Sequence, residues 1–174
     1  MCSRYRLADR SGDACPGRML PVFRLENQRV QTMQMVWGFP GGQSGRVINA
    51  RCETAAEKPM FRACLAGRRC VIPTAGFYEW DADGRQFLFE PPVEGALYLA
   101  GLYDIRAGEP CFCVLTTAAN QSMAPVHDRM PLILDRVQAG AWLRDSGRVP
   151  SLLAAVPPLL TRTALDGQLG LFDV

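Results

Sequence analysis

A cysteine in second position offers a chemistry that neither of its functional groups supplies alone. Aminopeptidases remove Met1 readily when the next side chain is small, and Cys2 then carries an α-amine and a thiol on adjacent carbons. An aldehyde condenses with such an amine to an imine, and the neighbouring thiolate closes on the imine carbon to give a five-membered thiazolidine. The amine titrates near ~8 and the thiol near ~8.5, so modest environmental shifts supply nucleophile at neutral pH. A cysteine at this position taken by itself is usually incidental, and other residues must raise the catalytic reading above that.

Three polar motifs stand in apolar surroundings. In Ile48-Asn49-Ala50-Arg51-Cys52-Glu53-Thr54, strand alternation puts Asn49, Arg51 and Glu53 on one face. That row is either a solvated strand face or an amide and an arginine set to orient an amine and hold a phosphate. In Gly76-Phe77-Tyr78-Glu79-Trp80 a lone carboxylate sits among aromatics, where desolvation favours proton shuttling. The plain alternative turns Glu79 to water from an edge strand. His127, the sole histidine, lies in the proline-bracketed loop Pro125-Val126-His127-Asp128-Arg129-Met130-Pro131. It is suited to proton exchange or to donating to a phosphate with Arg129 beside it, or else to a structural role.

The elements that must position these groups are mostly strands. Runs rich in β-branched and aromatic residues recur at Val30–Phe39, Arg46–Ala50, Cys70–Trp80, Gln86–Glu90, Leu97–Asp104, Cys111–Thr117 and Met130–Leu134, with Gly, Pro and Asp between them. One amphipathic helix is predicted to open on the capping-box spacing Thr54…Glu57, to carry Met60, Phe61, Cys64 and Leu65 on one stripe, and to end at Gly67. A second is predicted from an Asp135 N-cap with Val137, Ala141 and Trp142 inward, and a short third over Ser151–Val156. Strands with a few helices imply an α+β fold around antiparallel sheet, and 174 residues fit one domain.

Composition narrows the partners. The seven cysteines are an odd number without framework spacing, and one histidine with a single Cys111-x-Cys113 pair is a poor zinc set; reduced thiols and no metal are expected. No run approaches a membrane span, and the first residues lead into no secretory signal, so a cytoplasmic protein without membrane attachment is expected. Net charge is only +2, yet residues 1–69 hold 12 basic against 5 acidic groups and residues 70–174 hold 7 against 12. Eighteen of the 19 basic residues are arginine, whose fork suits phosphate, although a GC-rich genome produces the same bias.

Taken in order, Met1-Cys2, Trp37-Gly38-Phe39, Asn49-Ala-Arg51-x-Glu53-Thr, Gly76-Phe-Tyr-Glu79-Trp and His127-Asp-Arg129-Met-Pro131 resemble the SOS response-associated peptidase family. The resemblance runs from Met1 to about Leu134 and more weakly beyond. It implies residues 1–174 as a single domain with a barrel-like, mostly antiparallel sheet. It also implies removal of Met1, by the chain itself or by an aminopeptidase, and a thiazolidine crosslink to abasic sites in single-stranded DNA, without a cofactor. By that similarity Cys2 is the nucleophile, Asn49 positions its amine, Glu79 shuttles protons, and His127 assists crosslinking and nearby phosphate elimination, a lyase activity; peptidase is a historical name. Arg4, Arg51 and Arg129 would grip phosphates, and Trp37 and Phe39 would stack on flanking bases. The resemblance implies a DNA-damage-response protein working as a monomer and joining the nucleoid when bound. The sequence departs from the family at Ser3, where glycine is usual, at Asp13-Ala14-Cys15-Pro16, where Asn-x-Ala-Pro is usual, and in its tail. Two other readings stand beside this one: a thiol peptidase or amidase in which His127 activates a cysteine, and a noncovalent single-strand-binding module with Cys2 idle.

Overall fold

The computed structural model describes residues 2–41 and 45–165. Its strands, in chain order, are β1 (Arg4–Leu7), β2 (Asp13–Ala14), β3 (Met19–Glu26), β4 (Arg29–Trp37), β5 (Phe39–Pro40), β6 (Arg46–Val47), β7 (Asn49–Arg51), β8 (Arg69–Trp80), β9 (Gln86–Glu90), β10 (Leu97–Arg106), β11 (Glu109–Ala118), β12 (Arg129–Pro131), β13 (Ile133–Leu134) and β14 (Thr161–Leu165). The helices are α1 (Pro59–Gly67), α2 (Arg136–Arg144) and α3 (Val149–Leu153). Strands β3, β4, β11, β10 and β8 pair in a ring that returns to β3, a closed barrel antiparallel everywhere except at β4–β11. Closure removes sheet edges, and β1 with β2 extends the far end of β8 beyond the ring. The fold is α+β as the sequence implied, and no described helix is long and apolar enough to cross a membrane.

Alternation along the barrel strands makes two apolar layers. Inward residues, among them Tyr5, Trp37, Phe77, Phe89 and Phe112, fill the barrel together with Cys2. Outward residues of β8, β10 and β11 pack under the helices against Phe61, Cys64, Leu65, Trp142 and Leu152. Arg69 is buried at that second layer. It donates to Trp142 O at 2.6 Å, to Leu65 O at 2.8 Å and to Ala66 O at 3.1 Å, so a cation satisfies carbonyls at the C-terminal ends of both α1 and α2.

The local expectations need four corrections. Helix α1 starts five residues after Thr54, because the residue before a proline is held extended and Pro59 can only open a helix; Lys58 is the N-cap, and residues 52–54 form a 3₁₀ turn instead of a capping box. In α2 the Asp135 capping box forms with Gln138, but Val137 is 75% exposed and the inward stripe is Ala139, Trp142 and Leu143. The third helix lies at Val149–Leu153, two residues earlier than predicted. The run from Val30 to Phe39 is two strands because Gly38 takes φ +106° between them, with its α-carbon so close to Arg46 that a Cβ would lie 2.7 Å from that side chain.

Candidate active site

The site forms where the chain start crosses the mouth of the barrel. Strand β1 runs antiparallel to β8 with Arg4 opposite Tyr78 and Tyr5 opposite Phe77, so residues ahead of Arg4 meet the Glu79 end of β8. Strand β7 lies parallel to β11, Asn49 opposite Val114, and brings its amide to the same place. Asn49 Nδ2 donates to the Cys2 carbonyl oxygen at 3.0 Å, while Asn49 Oδ1 is buried without a hydrogen-bond partner. Cys2 has no exposed surface and Glu79 is 2% exposed. Burial and then the nearby Glu79 carboxylate push the Cys2 thiol far above its ordinary range, so its sulfur is held protonated. Cys2, Asn49 and Glu79, read from separate motifs, are thus brought together.

His127 enters from the loop between β11 and β12. Two neighbours in that loop, Met123 and Val126, pack in the same inner layer as Cys2. His127 Nδ1 accepts from Arg129 N–H at 2.9 Å and also lies 3.0 Å from Asp128 Oδ1. Those two contacts want opposite protonation of Nδ1. The amide donor is fixed by the β12 backbone while Asp128 is 87% exposed, so the amide contact prevails and keeps the Nδ1 lone pair engaged.

The arginines are placed differently from one another. Arg51 is exposed and, with Asn49, Lys58, Thr116 and Phe61, lines a cavity of about 280 Å³; it stands on the Asn49 face of β7, as alternation requires. Arg129 instead donates through both fork nitrogens to Glu53, at 2.7 and 2.9 Å, and to Thr116 O at 2.7 Å. This pairing holds the Glu53 carboxyl below the usual carboxylate range and ties the His127 loop to the segment after β7. The expectation of Arg129 as a direct phosphate grip gives way to that of an internal clasp. Arg4 lies over the Tyr78 ring at 5.1 Å and donates to Asp13 from Nε at 2.9 Å, with Nη2 2.6 Å from the same carboxylate. The Tyr78 hydroxyl donates to the other Asp13 oxygen at 3.0 Å.

Trp37 and Phe39 also require correction as base-stacking residues, because neither has exposed surface. Trp37 packs between Tyr5 (5.1 Å) and Phe112 (6.2 Å) and donates from Nε1 to Ile48 O at 3.1 Å. Phe39 packs on Phe61 with the Arg106 guanidinium over its ring. Both serve the interior instead. Tyr78, Lys58 and Tyr5 went unassigned in the sequence. Alternation against Glu79 and between Arg4 and Arg6 would have put Tyr78 outside and Tyr5 inside, and Lys58 is the chain's single lysine.

Known proteins share sequence and fold with this chain. The profile of the family described as SOS response associated peptidase (SRAP) matches residues 1–165. The chain is 37% identical over 120 residues to the abasic site processing protein YoaM of Bacillus subtilis, covering 64% of this chain and 53% of that protein. It is 29% identical over 154 residues to the abasic site processing protein YedK of Escherichia coli, covering 82% of this chain and 69% of YedK. The chain therefore spans little more than half the length of its Bacillus relatives. A solved Bordetella bronchiseptica protein superposes with TM-score 0.81 at 24% identity, covering 95% of this chain and all of that one. A phage-related protein from the same organism gives 0.75 at 26% identity, covering 88% and 81%.

Proposed function

The chain belongs to the SOS response associated peptidase family, and on that premise we propose that it processes abasic sites by capturing their aldehyde covalently on Cys2 after loss of Met1. The observation that carries this reading is the Asn49 amide, which holds the Cys2 carbonyl at 3.0 Å while its buried Oδ1 has no partner. An α-amine freed at Cys2 is a donor suited to that acceptor, so the amide would aim the amine from both of its ends. Glu79, buried beside Cys2, exchanges the proton that opens the sugar ring and exposes the aldehyde. The amine attacks the carbonyl carbon and water leaves, giving an imine. The thiol then adds across the C=N bond: a C–S bond forms and the sulfur's proton ends on the ring nitrogen.

The order of these steps follows from the protonated sulfur, because a buried neutral thiol is a poor initiator, whereas an amine can attack first and present the sulfur with an electrophile. That same property weighs against a thiol peptidase or amidase. Burial pushes every one of the six buried cysteines upward, Cys52 to about 12, and none is held as a thiolate. The burial of Trp37 and Phe39 removes the stacking platform that a purely noncovalent module would use. A single strand is the favoured substrate, since the sugar must reach an interior residue and a duplex would hold it in the stack. His127 Nε2 and Arg51 face the flanking phosphates in this reading.

Denaturing electrophoresis tests it. Protein with Met1 removed, mixed with a single-stranded oligonucleotide carrying one abasic site, is expected to give a shifted band that Cys2→Ala abolishes. A band of equal strength from Cys2→Ala, or from protein whose mass retains Met1, would overturn the proposal.

A further inference from the structure

We propose that the Tyr5 hydroxyl is a positioning group for the Cys2 sulfur, donating a hydrogen bond to it as the thiazolidine ring closes. The inference rests on the covalent-capture reading above. Its starting observation is an anomaly: Tyr5 is 1% exposed, and its hydroxyl is buried with no hydrogen-bond partner among the described residues. A buried hydroxyl left unmatched is unfavourable, and native interiors rarely keep one unless another state uses it. Strand register says where that state is. Tyr5 stands opposite Phe77 on β8, so Glu79, two residues along the same inward face, is its diagonal neighbour at about 7–8 Å. The ring is held by Trp37 at 5.1 Å on the interior side, and it packs in the same inner layer as Cys2.

Burial in the barrel pushes the Tyr5 hydroxyl well above its ordinary range, reinforced by the neighbouring Cys2 and then Cys70, so it keeps its proton and is available as a donor. Around the Cys2 sulfur are the Arg4 N–H, which bonds it, and the Glu79 carboxylate, which opposes a thiolate; the Tyr5 hydroxyl stands in the same inner layer as a donor that can offset that opposition. With Met1 attached the hydroxyl and the sulfur are not bonded. In the protein lacking Met1 the sulfur turns toward Tyr5 while Asn49 keeps the Cys2 carbonyl. A hydroxyl donor there stabilises sulfur as it gives up its proton to the imine nitrogen, and no proton leaves Tyr5.

Tyr5→Phe removes the hydroxyl and keeps the ring packed on Trp37 and Phe77, so the fold is expected to survive. On protein lacking Met1, the Cys2 alkylation rate is followed against pH by mass spectrometry of the N-terminal peptide. Single-turnover adduct formation with an abasic oligonucleotide is followed alongside. Tyr5→Phe is expected to lower the alkylation rate about tenfold at each accessible pH and to slow adduct formation about tenfold near neutrality. Binding of an undamaged oligonucleotide is expected to stay unchanged. Cys70→Ala, the control for the hydroxyl's other neighbour, is expected to follow wild type. Superposable Tyr5→Phe and wild-type alkylation profiles would overturn the inference, as would a Cys70→Ala profile lowered like that of Tyr5→Phe. If wild type formed no adduct, the capture reading would fail, and the alkylation profiles would still decide the role of Tyr5.

Discussion

Asp13→Asn isolates the electrostatics of DNA approach. Asp13 pins Arg4 through contacts at 2.9 and 2.6 Å and also takes the Tyr78 hydroxyl, so the guanidinium is engaged before any phosphate arrives. An asparagine keeps an acceptor for the hydroxyl and removes the charge. An ion pair on the protein surface is worth roughly 0.2–1 kcal/mol, and with the flanking tyrosine we take the upper end. Relieving the competition for Arg4 should then tighten noncovalent binding about fivefold at low salt. If Arg4 gains one phosphate contact, the salt dependence on single strands steepens by about 0.7 in log–log slope. Between about 50 and 200 mM salt that is a further two- to threefold loss. The assay is fluorescence anisotropy with a single-stranded oligonucleotide, in a Cys2→Ala background so that no adduct forms. Unchanged affinity with an unchanged slope would show that Arg4 does not meet the DNA backbone, and the reasoning would be wrong.

Two further predictions concern the supports of the site. Trp37→Ala should lower unfolding stability by about 3–5 kcal/mol in urea titration, since a fully buried indole and its bond to Ile48 are lost; a loss below about 1 kcal/mol with impaired DNA binding would refute its interior placement. Glu53→Gln should destabilise the protein near neutrality by at most about 1 kcal/mol, because half of the Glu53 side chain is exposed. Arg129 depresses the folded-state pKa of Glu53, so this stabilisation is present above about pH 5 and fades as pH falls through the folded value. Midpoints of wild type and Glu53→Gln should therefore converge as pH falls through the folded-state value, and a gap constant with pH would refute the clasp.

Much of the site was legible because period 2 and residue chemistry are local. Asn49 and Arg51 share a face of β7, and Cys2, Asn49 and Glu79 meet as their motifs implied. The closed barrel was foreshadowed by strand after strand with apolar alternation, but its ring order, with β4 parallel to β11, depends on long-range pairing that no window of sequence contains. Strands β1 and β3 went unrecognised for a related reason: Arg4, Arg6, Pro21 and Arg24 interrupt the apolar run, and only pairing, of β1 with β8 and of β3 with β4, makes these segments extended.

By itself, the sequence determined which groups are available: an aminothiol if Met1 leaves, one buried-type carboxylate, one histidine and an arginine-rich first half. Only tertiary structure decided how they are used. Whether an arginine faces DNA or a carboxylate, and whether an indole stacks on a base or fills a barrel, depends on what stands opposite it in space. Arg129 meets Glu53 from 76 positions away and Trp37 meets Phe112 on the strand paired beside it, and burial at those contacts sets their roles.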